Sequence, residues 1–207
     1  MQRIGVFGGT FDPVHSGHVN TALSLAQHLD LAFVHMVPCF QPVHRDAPST
    51  PADHRFAMLE RVCHAHPTLI ADDRELRRGG PSYSIDTMHA LREERPESAI
   101  FMVMGADAFR YFESWHRADE FLSVVNIVVV HRGGQPAPDI VSSRWRDAYR
   151  SVDDAIQCSL GALTSVQLPL WTISSTAIRR TLADGGELGT EVPEAVAQYI
   201  ELHQLYR

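Results

Sequence analysis

Arg3-Ile4-Gly5-Val6-Phe7, followed by GGTFDPVHSGH over Gly8–His18, decides how this chain folds. A short apolar run stops at two glycines. A turn containing Asp12 and Pro13 comes next, then His15 and His18, with Gly17 between them. An apolar-periodic segment begins at once: Val19, Ala22, Leu23, Leu25, Ala26 and Leu29 recur at helical spacing. The stretch reads as strand, glycine-rich turn and helix. The first N–H groups of a helix lack intrahelical partners and the dipole there favours negative charge, so this is a place for phosphate. Gly8, Gly9 and Thr10 form the turn. Glycine lets backbone approach a ligand closely, although a plain tight turn uses the same residues.

Working outward, apolar runs and helical stretches alternate along the chain. Strands are expected at 3–7, 32–37, 68–71, 99–104 and 126–131, with a later one around 165–168. Helices are expected at 17–29, 51–64, 84–94, 106–112, 118–122, 175–183 and 193–203, and 140–150 reads as a further helix with a charged face. Thr50-Pro51 with Asp53 has the pattern of an N-cap, a first-turn proline and a first-turn acid, and Gly185-Gly186 stands where a helix should stop. Strand–helix alternation implies right-handed crossovers and a mostly parallel sheet with helices on both faces. Ligands of such sheets sit beyond the carboxyl ends of the strands, where Gly8–His18 lies. No internal repeat or strong boundary is visible, so 1–207 is expected to form one domain, with the helical part from about 174 to 207 packed on it.

Composition narrows the chemistry. The chain has 207 residues, 44% hydrophobic, and a formal charge of −7, which disfavours a general nucleic-acid surface. It contains no lysine; all 18 basic side chains are arginine. That excludes a Walker-type phosphate loop and any lysine Schiff base. Phosphate must be handled by Arg, His and backbone N–H. Cys39, Cys63 and Cys158 are scattered and odd in number, which suits reduced thiols in a cytoplasm and small buried hydrophobes. The apolar run ending at Gly8 is too short for a signal peptide, and no stretch is long enough for a bilayer. Cytoplasmic location, no membrane partner and no nucleic-acid partner are the expectations; oligomeric state is left open.

Five places carry candidate chemistry. An HxGH tetrapeptide alone is weak, but its strand–turn–helix setting gives His15 and His18 weight as phosphate donors, and no Cys pair or H-E-x-x-H accompanies them to make a zinc site. ISSTAIRR, from Ile173 to Arg180, opens another helix with the hydroxyls of Ser174 and Ser175 and puts Arg179 one turn inside; ordinary N-capping uses the same residues. PCFQPVHR is a proline-rich loop ending in His44 and Arg45, able to deliver two positive groups. Gly105-Ala106-Asp107 follows a strand, where Gly105 permits close approach and Asp107 can bond a ribose hydroxyl or simply sit in a helix's first turn. Last, Ser84 in PSYSIDT can cap a helix, and Trp115 beside His116 offers a flat face for a heteroaromatic ring.

Together these segments resemble the bacterial nicotinate-nucleotide adenylyltransferases of the HxGH nucleotidyltransferase superfamily. The likeness runs nearly end to end: GGTFDPVHSGH, the loop ending in His44-Arg45, Asp73–Arg78, PSYSIDT, MGADAF with ESW, HRGG, ISSTAIR, then Tyr199-Ile200 and Leu205-Tyr206-Arg207. Val43 stands where many relatives have proline, Arg45 where many have lysine, and Ser84 where threonine is common. The resemblance implies a Rossmann-like α/β fold and transfer of AMP from ATP to nicotinate mononucleotide, giving deamido-NAD and pyrophosphate in NAD biosynthesis. It implies catalytic roles for His15, His18 and Arg179. ATP contacts fall to Gly8, Gly9, Thr10, Phe11, Gly105, Asp107, Ser174 and Ser175. Mononucleotide contacts fall to His44, Arg45, Ser84, Trp115 and His116. Mg²⁺ is expected to arrive with ATP, with no protein metal site. The first third of the chain suits other phosphate-ester acceptors equally; PSYSIDT and ESW favour a pyridine ring.

Overall fold

The computed structural model describes residues 1–43, 47–133, 138–140, 143–169 and 171–207, with Arg132 described in its backbone only. Among the described residues six strands form one sheet: β1 (Arg3–Gly9), β2 (Phe33–Pro38), β3 (Leu69–Ala71), β4 (Ala99–Gly105), β5 (Asn126–Arg132) and β6 (Leu163–Leu168). Their order is β3-β2-β1-β4-β5-β6. β1 runs parallel to β4 from Arg3↔Ala99 to Phe7↔Val103, β4 to β5 from Phe101↔Asn126 to Gly105↔Val130, and β5 to β6 from Ile127↔Leu163 to Arg132↔Leu168. Strand order reverses between β1 and β4, the switch point at which doubly wound sheets bind ligands. β4 reads as a continuous apolar run because Ala99–Met104 are all buried.

The helices are α1 (Ser16–His28), α2 (Ala52–His64), α3 (Arg74–Arg78), α4 (Ser84–Glu94), α5 (Ala106–Phe109), α6 (Phe121–Val124), α7 (Val152–Ala155), α8 (Ser175–Ala183) and α9 (Glu194–Leu202). The expected stop after α8 is present in full. Gly185 takes φ +73°, its N–H bonds the Leu182 carbonyl, and the Gly186 N–H reaches back to Thr181. Other expectations need correction. The helix expected over 106–112 ends at Phe109, and a 3-10 turn over Phe112–Ser114 follows. The one expected over 118–122 is a 3-10 turn, Ala118–Glu120, running into α6. These breaks let the Phe112 ring nest among Trp115, Phe121 and Trp145, which one straight helix would spread apart. Among the described residues of 140–150 there is only a 3-10 turn, Arg146–Ala148. Pro51, not Thr50, occupies the N-cap position of α2, and its ring has no oxygen to accept from the helix, so no side chain caps this helix. α7 went unanticipated although Ser151 caps it through the Asp154 N–H, a spacing visible in SVDD.

The chain divides into two compact units, Met1–Phe7 with Ser24–Val34 and Tyr83–Leu170, and Gly8–Leu23 with His35–Ser82 and Trp171–Arg207. In the second, α9 packs on α2: His54 Nδ1 lies 2.8 Å from the Tyr199 hydroxyl and the Arg61 guanidinium sits 4.2 Å over the Tyr199 ring. Burial pushes the Cys63 thiol up to about 12, so it behaves as a small core hydrophobe.

A buried triad ties β2 to α3. Asp72 Oδ2 lies 2.8 Å from both His35 Nδ1 and Arg74 Nε. Burial pushes the Asp72 carboxyl up, but the hydrogen bonds from His35 and Arg74 outweigh it and hold the group at about 2, below the usual 3.8. With the folded value depressed, the carboxylate's stabilisation is complete above the unfolded value and lost as pH falls toward 2. Asp72→Asn is therefore expected to cost about 2 kcal/mol at neutral pH and progressively less as the medium is acidified. Urea unfolding of both proteins across that range checks it; a cost independent of pH would contradict the ion-pair origin.

Candidate active site

The turn after β1 is held from within the second unit. Cys39 donates its N–H to the Gly9 carbonyl at 2.9 Å. Arg55, only 1% exposed on α2, spreads its guanidinium over three backbone carbonyls: Thr10 and Cys39 at 2.7 Å and Thr50 at 3.1 Å. Phe11 is buried with φ +48°, a region bulky residues enter only when their surroundings impose it. A Cβ on Gly9 would come within 3.0 Å of the Phe11 ring, so glycine there admits this arrangement.

The two imidazoles stand together at the start of α1. His15 and His18 stack with centroids 3.7 Å apart and planes at 23°, and the Phe11 ring meets His18 edge-on at 5.0 Å. A Cβ on Gly17 would lie 3.0 Å from His15 Nδ1, which is why the intervening residue is glycine. The His15 backbone N–H donates to His18 Nδ1 at 3.3 Å. With Nδ1 accepting, neutral His18 carries its proton on Nε2, where it can be donated to an oxyanion.

The start of α1 is less open than the sequence implies: the Ser16 N–H donates to the Glu191 carbonyl at 2.9 Å, and the His18 N–H to His15. The ISST segment also does structural work. The Ser174 hydroxyl caps α8 by accepting from the Ala177 N–H at 3.2 Å, and the Ser175 hydroxyl donates to the Pro13 carbonyl at 3.0 Å. Arg179 Nη1 donates to the Asp12 carbonyl at 2.7 Å. The structure thus gathers Phe11, His15, His18, Ser175 and Arg179 around one turn. A guanidinium carries five N–H donors, so Arg179 can hold the turn and still donate elsewhere.

Gly105, Asp107, Ser84, Trp115 and His116 lie in the first unit. Gly105 is the N-cap of α5, with nothing within 4 Å of where its Cβ would be, and Asp107 is exposed in the first turn. Ser84 begins α4, but Tyr83 holds the N-cap position and no side chain caps the helix, which corrects the capping role expected for Ser84. The Tyr83 and His116 rings lie 4.3 Å apart, so the PSYS and ESWH segments meet there. Trp115 is half-buried, edge-on to Phe112 at 5.6 Å. His44 and Arg45 lie outside the described residues. Among the described residues no group of three or more His, Cys, Asp or Glu could hold a metal ion, and no helix is long and apolar enough to cross a membrane.

Sequence reasoning missed Asp12, Arg55 and Tyr206 as parts of this arrangement. Arg55 left a trace: it falls in register with Met58, Leu59 and Val62 on the buried stripe of α2, where a surface arginine has no place.

The sequence profile of the cytidylyltransferase-like family matches residues 6–181. A relative from Pseudomonas syringae pv. tomato, named "Probable nicotinate-nucleotide adenylyltransferase", is 41% identical over 210 residues, covering 100% of this chain and 94% of that one. One of the same name from Hydrogenovibrio crunogenus is 37% identical, covering 99% and 97%. In fold, the chain is similar to Plasmodium falciparum nicotinic acid mononucleotide adenylyltransferase complexed with NaAD, with a TM-score of 0.73 at 16% identity, covering 100% of this chain and 98% of that one. With a profile spanning most of its length and full-length relatives of this kind, the chain belongs to the cytidylyltransferase-like family and, within it, to the nicotinate-nucleotide adenylyltransferases.

Proposed function

We propose that this protein transfers AMP from ATP to nicotinate mononucleotide, forming deamido-NAD and pyrophosphate. The observation that carries the reading is the stacked His15–His18 pair on a turn clamped by Arg55 and Arg179, in a chain of this family. A phosphate oxygen of the mononucleotide attacks the α-phosphorus of ATP. The new O–P bond forms as the bond from the α-phosphorus to its bridging oxygen breaks, and that oxygen leaves with pyrophosphate. A phosphate monoester's second pKa is about 6, so the nucleophile needs no strong base. The protein's task is alignment and neutralisation of charge. His15, His18 and Arg179 donate to triphosphate oxygens, while Gly8, Gly9, Thr10 and Phe11 supply the backbone lining. Ser174 and Ser175 act by fixing α8 and the turn. Gly105 and Asp107 take the ATP ribose. Mg²⁺ enters as part of the MgATP substrate and supplies charge neutralisation on the polyphosphate.

Ser84, Trp115 and His116 form the mononucleotide side, with Trp115 offering its face to the pyridine ring and the backbone near Ser84 and His116 donating to its carboxylate. Trp115→Ala should raise KM for the mononucleotide about tenfold and KM for ATP much less, the scale of a lost base–aromatic stack. Steady-state kinetics with each substrate varied checks it; equal rises would place Trp115 elsewhere. The overall reading is tested by pyrophosphate release from ATP with nicotinate mononucleotide, nicotinamide mononucleotide and phosphopantetheine as acceptors. The acid mononucleotide should give the highest kcat/KM; preference for either other acceptor rejects the reading.

A further inference from the structure

Asp12 lies in the turn that carries the imidazoles, yet it is only 3% exposed. Its Oδ2 accepts from both the backbone N–H and the hydroxyl of Ser49 at 2.8 Å, and its Oδ1 accepts from the Tyr206 hydroxyl at 2.7 Å. The Thr50 side chain is a further hydrogen-bonding partner of Asp12 and Tyr206. Burial pushes the Asp12 carboxyl up, but these hydrogen bonds prevail and hold it below its ordinary value. Burial, and then the neighbouring carboxylate, push the Tyr206 phenol up, so it stays protonated and donates. A buried carboxylate is costly unless its lone pairs are filled, and here they are filled by groups from two distant parts of the chain.

What Asp12 fixes is the backbone between Phe11 and Pro13. Phe11 precedes it in the left-handed region with its ring against His18; the Asp12 carbonyl takes Arg179 and the Pro13 carbonyl takes Ser175. Resting on the adenylyl-transfer reading above, we propose that Tyr206 is a positioning residue for that reaction, its hydroxyl acting through the Asp12 carboxylate to hold the Phe11–Pro13 backbone so that the stacked His15 and His18 rings are presented to the phosphates. Tyr206 touches neither imidazole in this scheme; it sets the frame on which they stand.

Tyr206→Phe removes one oxygen and keeps the ring. We expect kcat to fall about tenfold while both KM values stay within about threefold, since an interaction serving only the reacting geometry is lost. A kcat equal to wild type overturns the proposal, as does a loss confined to KM. In an Asp12→Asn background the further change Tyr206→Phe should cost less than about twofold, because the charged acceptor is already gone; full multiplication of the two losses overturns the proposal. Should Tyr206→Phe fail to fold, Ser49→Ala removes a donor from the other carboxylate oxygen and is expected to lower kcat in the same way. A second readout needs no turnover. In the nitrogen-15 spectra of the histidine rings, the signals of His15 and His18 should move in Tyr206→Phe, and unmoved signals overturn the proposal. If wild type releases no pyrophosphate with any acceptor, the adenylyl-transfer reading fails, and the ring spectra alone still decide whether Tyr206 positions the imidazoles.

Discussion

His18→Ala is expected to lower kcat by about 10²–10³-fold, the loss that follows removal of one preorganised donor to developing charge, while the protein stays folded. The local geometry gives the reason for both halves. The ring is partly buried, braced by His15 on one face and the Phe11 edge, and its Nδ1 accepts from the His15 N–H, which puts the proton of the neutral ring on Nε2. That preorganisation is what water cannot supply. Deleting the ring costs little stability, because α1 continues to be anchored by Ser16 on Thr190 and Glu191 and alanine is a good helix former. His15→Ala is a poorer probe, since His15 is 6% exposed and its loss would leave a void beside Gly17. Quenched-flow single turnovers, with circular dichroism on the same samples, separate the chemical step from binding and folding. A variant with intact dichroism and wild-type turnover would remove His18 from the reaction.

Arg55→Ala is expected to lower the unfolding free energy by about 3–5 kcal/mol, because three buried carbonyls lose their donor together. For a chain of this size that is roughly a 10 °C fall in Tm. Arg55 is 1% exposed, and its planar fork reaches at once Thr10 in the turn after β1 and Cys39 and Thr50 near the two ends of the β2–α2 connection. Lysine keeps the charge but cannot reproduce that fork, so Arg55→Lys should recover less than half of the loss. Urea titration with an unchanged m-value is the measurement. An Arg55→Lys protein as stable as wild type would mean that charge alone, and not the three-way geometry, holds the turn.

The two experiments probe different layers of legibility. His18 could be chosen from the sequence, because strand, glycines, turn and helix start are consecutive and their chemistry is local. All six strands were likewise legible, since apolar runs in a parallel sheet need no partner to be recognised. The short elements were not. α5, α6 and the 3-10 turns between them are set by how Phe109, Phe112, Phe121 and Trp145 nest, which involves residues far apart in the chain.

The site divides in the same way. ISSTAIR reads as phosphate-binding hydroxyls or as an ordinary N-cap, and the cap by Ser174 is present; only the folded chain makes Ser175 a tie on Pro13 and Arg179 a clamp on Asp12. Composition by itself determined that no lysine takes part in whatever phosphate chemistry this protein does, because the chain contains none. Local pattern by itself determined the alternating fold and the position of the imidazoles, because both rest on neighbours in sequence. Tertiary structure alone decided what holds those imidazoles in place. Arg55 and Tyr206 act on Thr10 and Asp12 across 45 and 194 residues, and contacts that close such loops have no local period to betray them.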